Sequence, residues 1–157
     1  LLISCLRELT KSIGIGLDIS ADALAVTKIN VKNYKLNKRV ELHKESIFNF
    51  LTLKKFDLIL SNPPYLSSAE YDNLEIDVKN FEPETALKGG HDGTSHYKKI
   101  ITFASMSLKK NGLLALELGD QQFFKIKEML AENSFRVIDK YRLINGEIRC
   151  ILASKIG

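Results

Sequence analysis

The chain has 157 residues, 45% of them hydrophobic and 27% charged, with a formal net charge of +4. This length fits one domain with a real core, and the ordinary globular composition excludes a low-complexity or fibrous chain. No apolar run approaches the ~20 residues of a membrane-spanning helix, and no signal peptide is visible. The mildly basic balance permits an anionic partner such as RNA, although a lysine-rich solvated surface also explains it.

Cysteine and histidine usage predicts neither disulfides nor a metal site. Cys5 and Cys150 lie near opposite ends, each inside an apolar run, which is typical of buried free thiols. The histidines, His43, His91 and His96, lack ligand spacing with either cysteine. A reducing cytoplasm is therefore the expected compartment.

The first third of the chain predicts alternating helices and strands. In order, the apolar spacing predicts a helix over 1–10 with Leu2, Leu6 and Leu9 on one side, a strand over 13–19, a helix capped by Ser20, and strands over 38–43 and 56–60. The last strand is continuously apolar, which is typical of a parallel strand covered on both faces.

The remaining chain predicts a long loop and then a second set of elements. A polar stretch from the SNPPY motif (residues 61–65) to about Gly93 is expected to be a functional loop. The elements predicted after it are a helix over 94–110, a strand over 113–118, a helix from an Asp120 cap to about Glu132, and strands over 135–141 and 147–154. We therefore expect an α/β, doubly wound, mostly parallel sheet with a C-terminal antiparallel hairpin, in one domain over 1–157.

Three predicted strands end in polar residues, which is where doubly wound sheets bind ligands. Asp18 lies near the end of the strand over 13–19, and in such folds a carboxylate here can hold both hydroxyls of an adenosine ribose. It could also be an acid at the start of the helix capped by Ser20. Glu45 and Ser46 follow the next strand, either beside an adenine edge or in a solvated turn.

The most specific signal is Asn62-Pro63-Pro64-Tyr65, directly after the strand over 56–60. The prolines restrict φ, so the Pro63 carbonyl is held in place, and the Asn62 side chain offers a second carbonyl. Two fixed acceptors can take both hydrogens of a planar NH₂ group and stabilise a more positive transition-state nitrogen. Tyr65 can stack on the flat face of that group. This pattern favours methylation of an amide or an exocyclic amine over a merely stiff turn.

The chain resembles class I S-adenosylmethionine-dependent methyltransferases, and more closely the HemK/PrmC family, which methylates the glutamine amide of the GGQ motif in peptide chain release factors. The resemblance rests on five segments: GLDISADALAVTKIN (16–30), FDLILSNPPYL (56–66), DVKNFEPETALKGGHDGTSHYKKII (77–101), KKNGLLALELGDQQ (109–122) and NGEIRCILASK (145–155). The segment over 77–101 distinguishes this family from other NPPY enzymes.

The resemblance implies roles for two groups of residues. Asp18, with Ile19 beside it, is expected to bind the ribose of S-adenosyl-L-methionine. Glu45 or Ser46 would meet the adenine, with Ile47 as apolar backing. In the second group, Asn62, Pro63, Pro64 and Tyr65 would hold the glutamine amide, Asn62 also facing the cofactor, and Glu82 and Pro83 would shape the substrate pocket.

The sequence departs from the family at two places. An aspartate usual near the end of the third strand is replaced by Glu45 or Ser46. The glycine-rich GxGxG loop, its preceding strand and an N-terminal helical domain would lie before Leu1. Because Leu1 begins inside an apolar pattern without an initiator Met, we expect a chain cut upstream and only part of the catalytic domain.

Two alternatives stay open beside release-factor methylation. The same acceptors could hold the amino group of a flipped adenine or cytosine, so DNA or RNA is a possible substrate. The chain could also be a truncated, non-catalytic remnant, since the missing strand would leave unpaired sheet edges.

Overall fold

The computed structural model describes residues 1–156, which form two compact units divided after Thr52. The first unit contains α1 (Leu2–Glu8), β1 (Gly14–Asp18), α2 (Ala21–Asn33) and β2 (Val40–Lys44). β1 and β2 pair in parallel, from Gly14 opposite Val40 to Asp18 opposite Lys44. The helix after β1 begins as predicted, because the Ser20 side chain accepts a hydrogen bond from the Ala23 N–H at 3.1 Å.

Leu9 lies outside the first helix, which was predicted over 1–10 with Leu2, Leu6 and Leu9 on one side. α1 ends at Glu8, and Leu9 is 47% exposed, whereas Leu6 is buried with Val31 and Leu36. The Arg39 guanidinium explains the end of the helix, because Nη2 donates to the carbonyls of Leu6 and Leu9 at 2.8 and 2.6 Å. A distant arginine thus satisfies carbonyl groups that the helix leaves unpaired.

The second unit carries the remaining strands in one four-stranded sheet. Its elements are β3 (Phe56–Ser61), α3 (Ser68–Asp72), α4 (Ile76–Phe81), α5 (Glu84–Leu87), α6 (Ser95–Ser107), β4 (Leu108–Glu117), α7 (Phe123–Glu132), β5 (Phe135–Arg142) and β6 (Ile148–Lys155). The strand order is β3–β4–β6–β5. β3 and β4 are parallel, and β6 is antiparallel to both β4 and β5. The predicted parallel strands and the C-terminal antiparallel hairpin are confirmed, although the six strands form two hydrogen-bonded sheets.

Three local predictions in this unit are corrected. The stretch expected to be a loop contains three short helices, α3 to α5. The helix expected to reach residue 110 ends at Ser107, because Leu108 adopts an extended backbone and pairs with Phe56, and Lys109 then pairs with Asp57 at 2.8 Å. α7 begins at Phe123 with Gln122 as the N-cap, so Asp120 is not the cap.

The core of the second unit lies between α6, α7 and the sheet. Its buried residues are Tyr97, Ile100, Ile101 and Ala104 of α6, Ile126 and Leu130 of α7, and Leu108, Leu114, Leu116, Ile151 and Ala153 of the sheet. The two cysteines are free but only half-buried, and burial raises the pKa of the Cys150 thiol. No helix in residues 1–156 is long and apolar enough to cross a membrane.

Replacing Tyr97 by Phe tests how firmly α6 is fixed to the end of β4. The Tyr97 hydroxyl is fully buried and donates to the Glu117 carbonyl at 2.9 Å. Tyr97→Phe leaves that carbonyl without this donor and should lower the free energy of unfolding by about 1–2 kcal/mol, measured by urea denaturation. Tyr141→Phe, at an exposed position of β5, is the matched control and should change stability little. Equal effects of the two variants would contradict the prediction.

Candidate functional site

The SNPPY motif leaves the sheet of the second unit where three strand ends meet. β3 and β4 run in parallel, with Ser61 opposite Leu116, so their carboxyl ends share one edge. β6 is antiparallel and begins at that edge, with the Leu118 N–H donating to the Arg149 carbonyl at 2.9 Å. Residues from β3, β4 and β6 are therefore brought to the motif, as expected for a ligand site in an open α/β sheet.

The four motif residues differ in burial. Asn62 is exposed, Pro63 is buried, and Pro64 and Tyr65 are half-buried. Within residues 1–156 no protein group hydrogen-bonds to the Asn62 amide, so its carbonyl oxygen is available to a ligand. The motif thus presents one solvent-facing acceptor side chain on a backbone that the prolines stiffen.

Arg149 of β6 holds the Tyr65 side chain. Its Nη2 donates to the Tyr65 hydroxyl at 2.6 Å, and the guanidinium carbon lies 4.9 Å from the ring centroid. The same nitrogen forms an ion pair with Glu117 Oε1 at 3.0 Å. Tyr65 is therefore held through its hydroxyl and against one face of its ring, and Glu117 holds the arginine in place.

Gly119 allows the Tyr65 ring to approach the backbone after β4. A Cβ at this position would lie 2.6 Å from Tyr65 Cδ2 and 2.9 Å from Gln122 Oε1. Any larger residue would push the ring or the glutamine away. The glycine is thus explained by a close approach between side chain and backbone.

The segment after the motif returns to it through backbone contacts. The Leu66 N–H donates to the Leu87 carbonyl at 3.0 Å, and the Gly89 N–H donates to the Leu66 carbonyl at 2.7 Å. A Cβ on Gly89 would lie 2.6 Å from the Pro64 carbonyl oxygen. The chain carrying α3 to α5 is therefore attached beside the motif at both its ends. Glu82 and Pro83 are exposed at the junction of α4 and α5.

Asp92 anchors the turn that follows α5. Its carboxylate accepts from the Thr94 hydroxyl at 2.7 Å and from Lys125 Nζ of α7 at 2.9 Å. The hydrogen bond from the Thr94 hydroxyl and then that from Lys125 lower the pKa of Asp92 well below its ordinary value. The next residue, Gly93, has φ +70°, a conformation that favours glycine, and it lies against the Tyr65 carbonyl.

In the first unit, the predicted cofactor residues gather at the carboxyl ends of β1 and β2. The Glu45 N–H donates to the Asp18 carbonyl at 3.0 Å, so the two predicted carboxylates follow neighbouring strands. Asp18 Oδ1 accepts from the Ser20 N–H at 2.8 Å, and no hydrogen bond in residues 1–156 reaches Oδ2. The Ser46 hydroxyl accepts from the Phe48 N–H at 3.2 Å. Ile19 is exposed and Ile47 half-buried beside them.

Sequence reasoning missed four residues of the site: Glu117, Gly119, Gln122 and Arg149. Each lies far along the chain from Tyr65, and Arg149 is 84 positions away. The only sequence signal was their membership of two segments quoted for the family resemblance, 109–122 and 145–155. Their side-chain roles depend on the pairing of β6 with β4.

Comparison with known proteins places the chain among methyltransferases. Residues 1–78 match the family model described as "Methyltransferase small domain". Residues 1–78 belong to this methyltransferase family. A release factor glutamine methyltransferase from Fusobacterium nucleatum is 37% identical over 98% of the chain and 43% of that protein. A bifunctional methyltransferase from Rickettsia conorii is 34% identical over 99% of the chain and 30% of that protein.

The methyltransferase chain thus spans less than half the length of these two curated relatives. Solved structures with low identity support the fold. A methyltransferase from Pyrococcus furiosus superposes with a TM-score of 0.70 at 17% identity, over 98% of the chain and 68% of that structure. An S-adenosylmethionine-dependent methyltransferase from Clostridium acetobutylicum gives 0.60 at 14%, over 93% and 76%. These likenesses establish the Rossmann-like α/β fold.

A double-mutant cycle between Tyr65 and Arg149 tests whether the hydrogen bond between their side chains stabilises the motif. Tyr65→Phe removes the hydroxyl and Arg149→Met removes the guanidinium, and each variant breaks the same hydrogen bond. We expect a coupling energy of about 1 kcal/mol from urea unfolding, below the usual range for a hydrogen bond to a charged group because Arg149 is partly exposed. Arg142→Met combined with Tyr65→Phe is the control, since Arg142 donates to the Gly146 carbonyl. A coupling energy smaller than the experimental error of the control cycle would contradict the hydrogen bond between Tyr65 and Arg149.

The stability of the methyltransferase chain should fall in acid in part through Asp92. Because its pKa is lower in the folded than in the unfolded chain, its stabilising effect is present above the unfolded value of about 3.8 and is lost as the pH falls below it. Asp92→Asn should therefore flatten the pH dependence of unfolding between about pH 5 and pH 2, measured with urea across that range. Asp120→Asn is the control. An unchanged slope in Asp92→Asn would refute this assignment.

Proposed function

We propose that this methyltransferase domain transfers a methyl group from S-adenosylmethionine to the side-chain amide nitrogen of the glutamine in the GGQ motif of peptide chain release factors. The observation that carries the proposal is the SNPPY motif at the carboxyl end of β3, with an exposed Asn62 and a Tyr65 held by Arg149. The Fusobacterium relative is a release factor glutamine methyltransferase, which supports the same substrate. A cytoplasmic location is part of the proposal.

The proposed methyl transfer depends more on the alignment of the reacting groups than on a general acid or base. The Asn62 side-chain carbonyl and the Pro63 backbone carbonyl would each accept one hydrogen of the substrate NH₂ group, which leaves the nitrogen lone pair free to form the new N–C bond as the S–C bond of the sulfonium breaks. The methylated nitrogen would then lose one of its two hydrogens as a proton to water. Both acceptors carry partial negative charge, so they favour the more positive nitrogen of the transition state. The Tyr65 ring would pack on the flat face of the amide, and its attachment to Arg149 keeps that ring in one position.

The residues at the ends of β1 and β2 fit the adenosine part of the cofactor. Asp18 has one carboxylate oxygen satisfied by the Ser20 N–H and a second one free for a ribose hydroxyl. Glu45 and Ser46 follow the neighbouring strand, with Ile19 and Ile47 as apolar surface beside them. When bound, S-adenosylmethionine supplies an electrophilic methyl group on a sulfonium centre.

Charge favours a protein substrate over DNA or RNA. The segment over 66–90, which is attached beside the motif, contains six acidic residues and two lysines: Glu70, Asp72, Glu75, Asp77, Glu82 and Glu84 against Lys79 and Lys88. All six acids are exposed. Lys88 pairs with Glu84 at 3.0 Å, and Lys79 donates to the Asp72 carbonyl. An acidic surface repels a phosphate backbone, so the nucleic-acid alternative is disfavoured although the whole chain is basic.

Asn62→Ala should reduce methyl transfer to a release factor by about a hundredfold or more, because one of the two acceptors is lost. The assay uses the natural full-length protein, S-adenosylmethionine with a labelled methyl group, a recombinant release factor, and the same factor with its GGQ glutamine replaced. Asn80→Ala, an exposed asparagine of α4, is the matched control and should keep wild-type activity.

Two further outcomes decide the alternatives. Label that enters DNA or RNA and not the release factor would overturn the proposed substrate. Calorimetry of this 157-residue chain with S-adenosylmethionine addresses the remnant hypothesis. Micromolar binding, about −8 kcal/mol, would argue against a dead remnant.

A further inference from the structure

We propose that Gln122 is a positioning residue that keeps the acceptor pair of the SNPPY motif in its reactive geometry. The inference rests on the proposed function, because it assigns a role to Gln122 in the same methyl transfer. Gln122 does not face the substrate amide. It acts on the motif through the backbone carbonyl of Tyr65.

The amide group of Gln122 joins three separate segments. Its Nε2 donates to the Tyr65 carbonyl at 2.8 Å and lies 3.4 Å from the Gly93 carbonyl. Its Oε1 accepts from the Gly119 N–H at 3.1 Å. The motif, the turn after α5 and the chain leaving β4 are thus held together by one half-buried side chain.

The position of Gln122 in its own helix shows that this side chain is not used to cap α7. Gln122 is the N-cap residue, and its backbone carbonyl accepts from the Ile126 N–H at 3.0 Å, but its side chain makes no capping hydrogen bond. N-cap side chains usually accept from the first turn of their helix. Here both ends of the amide point away from the helix and toward the motif and its neighbours.

The hydrogen bond from Gln122 to Tyr65 also restricts the two acceptors, Asn62 and the Pro63 carbonyl, because the backbone between them and Tyr65 is stiff. Pro63 and Pro64 restrict φ at two successive residues, so little backbone freedom separates the Pro63 carbonyl from Tyr65. The Tyr65 carbonyl is fixed by Gln122, and its hydroxyl is fixed by Arg149 at 2.6 Å. With both ends of Tyr65 held, the remaining rotations of the motif are restricted. Loss of one tether should let the acceptors move by a fraction of an ångström, enough to slow a reaction that depends on alignment.

Gln122→Met tests the proposal because methionine has nearly the same length and shape but donates no hydrogen bond. In the full-length protein we expect kcat for release-factor methylation to fall about tenfold, with KM for S-adenosylmethionine unchanged. Gln122→Glu should be at least as severe, because a carboxylate would face the two carbonyl oxygens. Gln121→Met and Gln121→Glu, at the exposed neighbouring position, are matched controls and should retain wild-type kcat.

Hydrogen exchange supplies a readout that does not depend on turnover. The Leu66 and Gly89 amides bond to carbonyls beside the motif and not to Gln122, so their exchange reports the mobility of the motif. In Gln122→Met we expect these two amides to exchange about tenfold faster, while amides in the core of α6 keep their wild-type rates.

The outcomes separate this inference from the proposed function. If the wild-type protein fails to methylate a release factor, the proposed function fails, and the exchange of Leu66 and Gly89 still decides whether Gln122 positions the motif. Unchanged kcat together with unchanged exchange in Gln122→Met would overturn the inference. A uniform rise in exchange across α6, with kcat falling only as the folded fraction falls, would also overturn it by showing a purely structural role.

Discussion

The candidate site depends on one constraint, the pairing of β6 antiparallel to β4. That pairing brings Arg149, near the start of β6, to the carboxyl end of β4, where it meets Glu117 and the Tyr65 side chain. Without it the Tyr65 side chain would lose its hydrogen bond to Arg149 and the guanidinium on the face of its ring. With it, the ring has a charged group on one face and the backbone of Gly119 close by. The antiparallel hairpin therefore contributes to the site, in addition to supplying two strands of the sheet.

The motif combines constraints of two kinds. Pro63 and Pro64 act locally by restricting the backbone, and this effect is present in any conformation of the chain. The other constraints come from groups that the fold delivers: the Gly89 backbone against the Pro64 carbonyl, the Gln122 amide on the Tyr65 carbonyl and the Arg149 guanidinium on its hydroxyl. A preorganised pair of acceptors needs both kinds, since an acceptor that must reorganise during the reaction stabilises the transition state less.

Much of the fold could be predicted from patterns within single elements. The Ser20 cap and the hairpin of β5 and β6 were correct because each depends on residues close in sequence. The errors fall where a distant partner overrides local preference. α6 ends at Ser107 because Leu108 pairs with Phe56, and α1 ends at Glu8, where Arg39 takes the carbonyls of Leu6 and Leu9. The helices α3 to α5 were missed because they are short and bury no residue, so they carry no apolar period.

By itself the sequence determined the chemistry that the motif can offer: an amide carbonyl, a restricted backbone carbonyl and a ring, directly after a buried strand. It also placed Asp18 and Glu45 after neighbouring strands, because the alternation of strands and helices defines which strands are parallel. Only the tertiary structure decided what holds the motif. Tyr65 meets Gln122 and Arg149 across 57 and 84 positions of the chain. Such contacts follow from strand pairing and helix packing. A pattern of residues along the chain therefore does not reveal which distant residues meet in space.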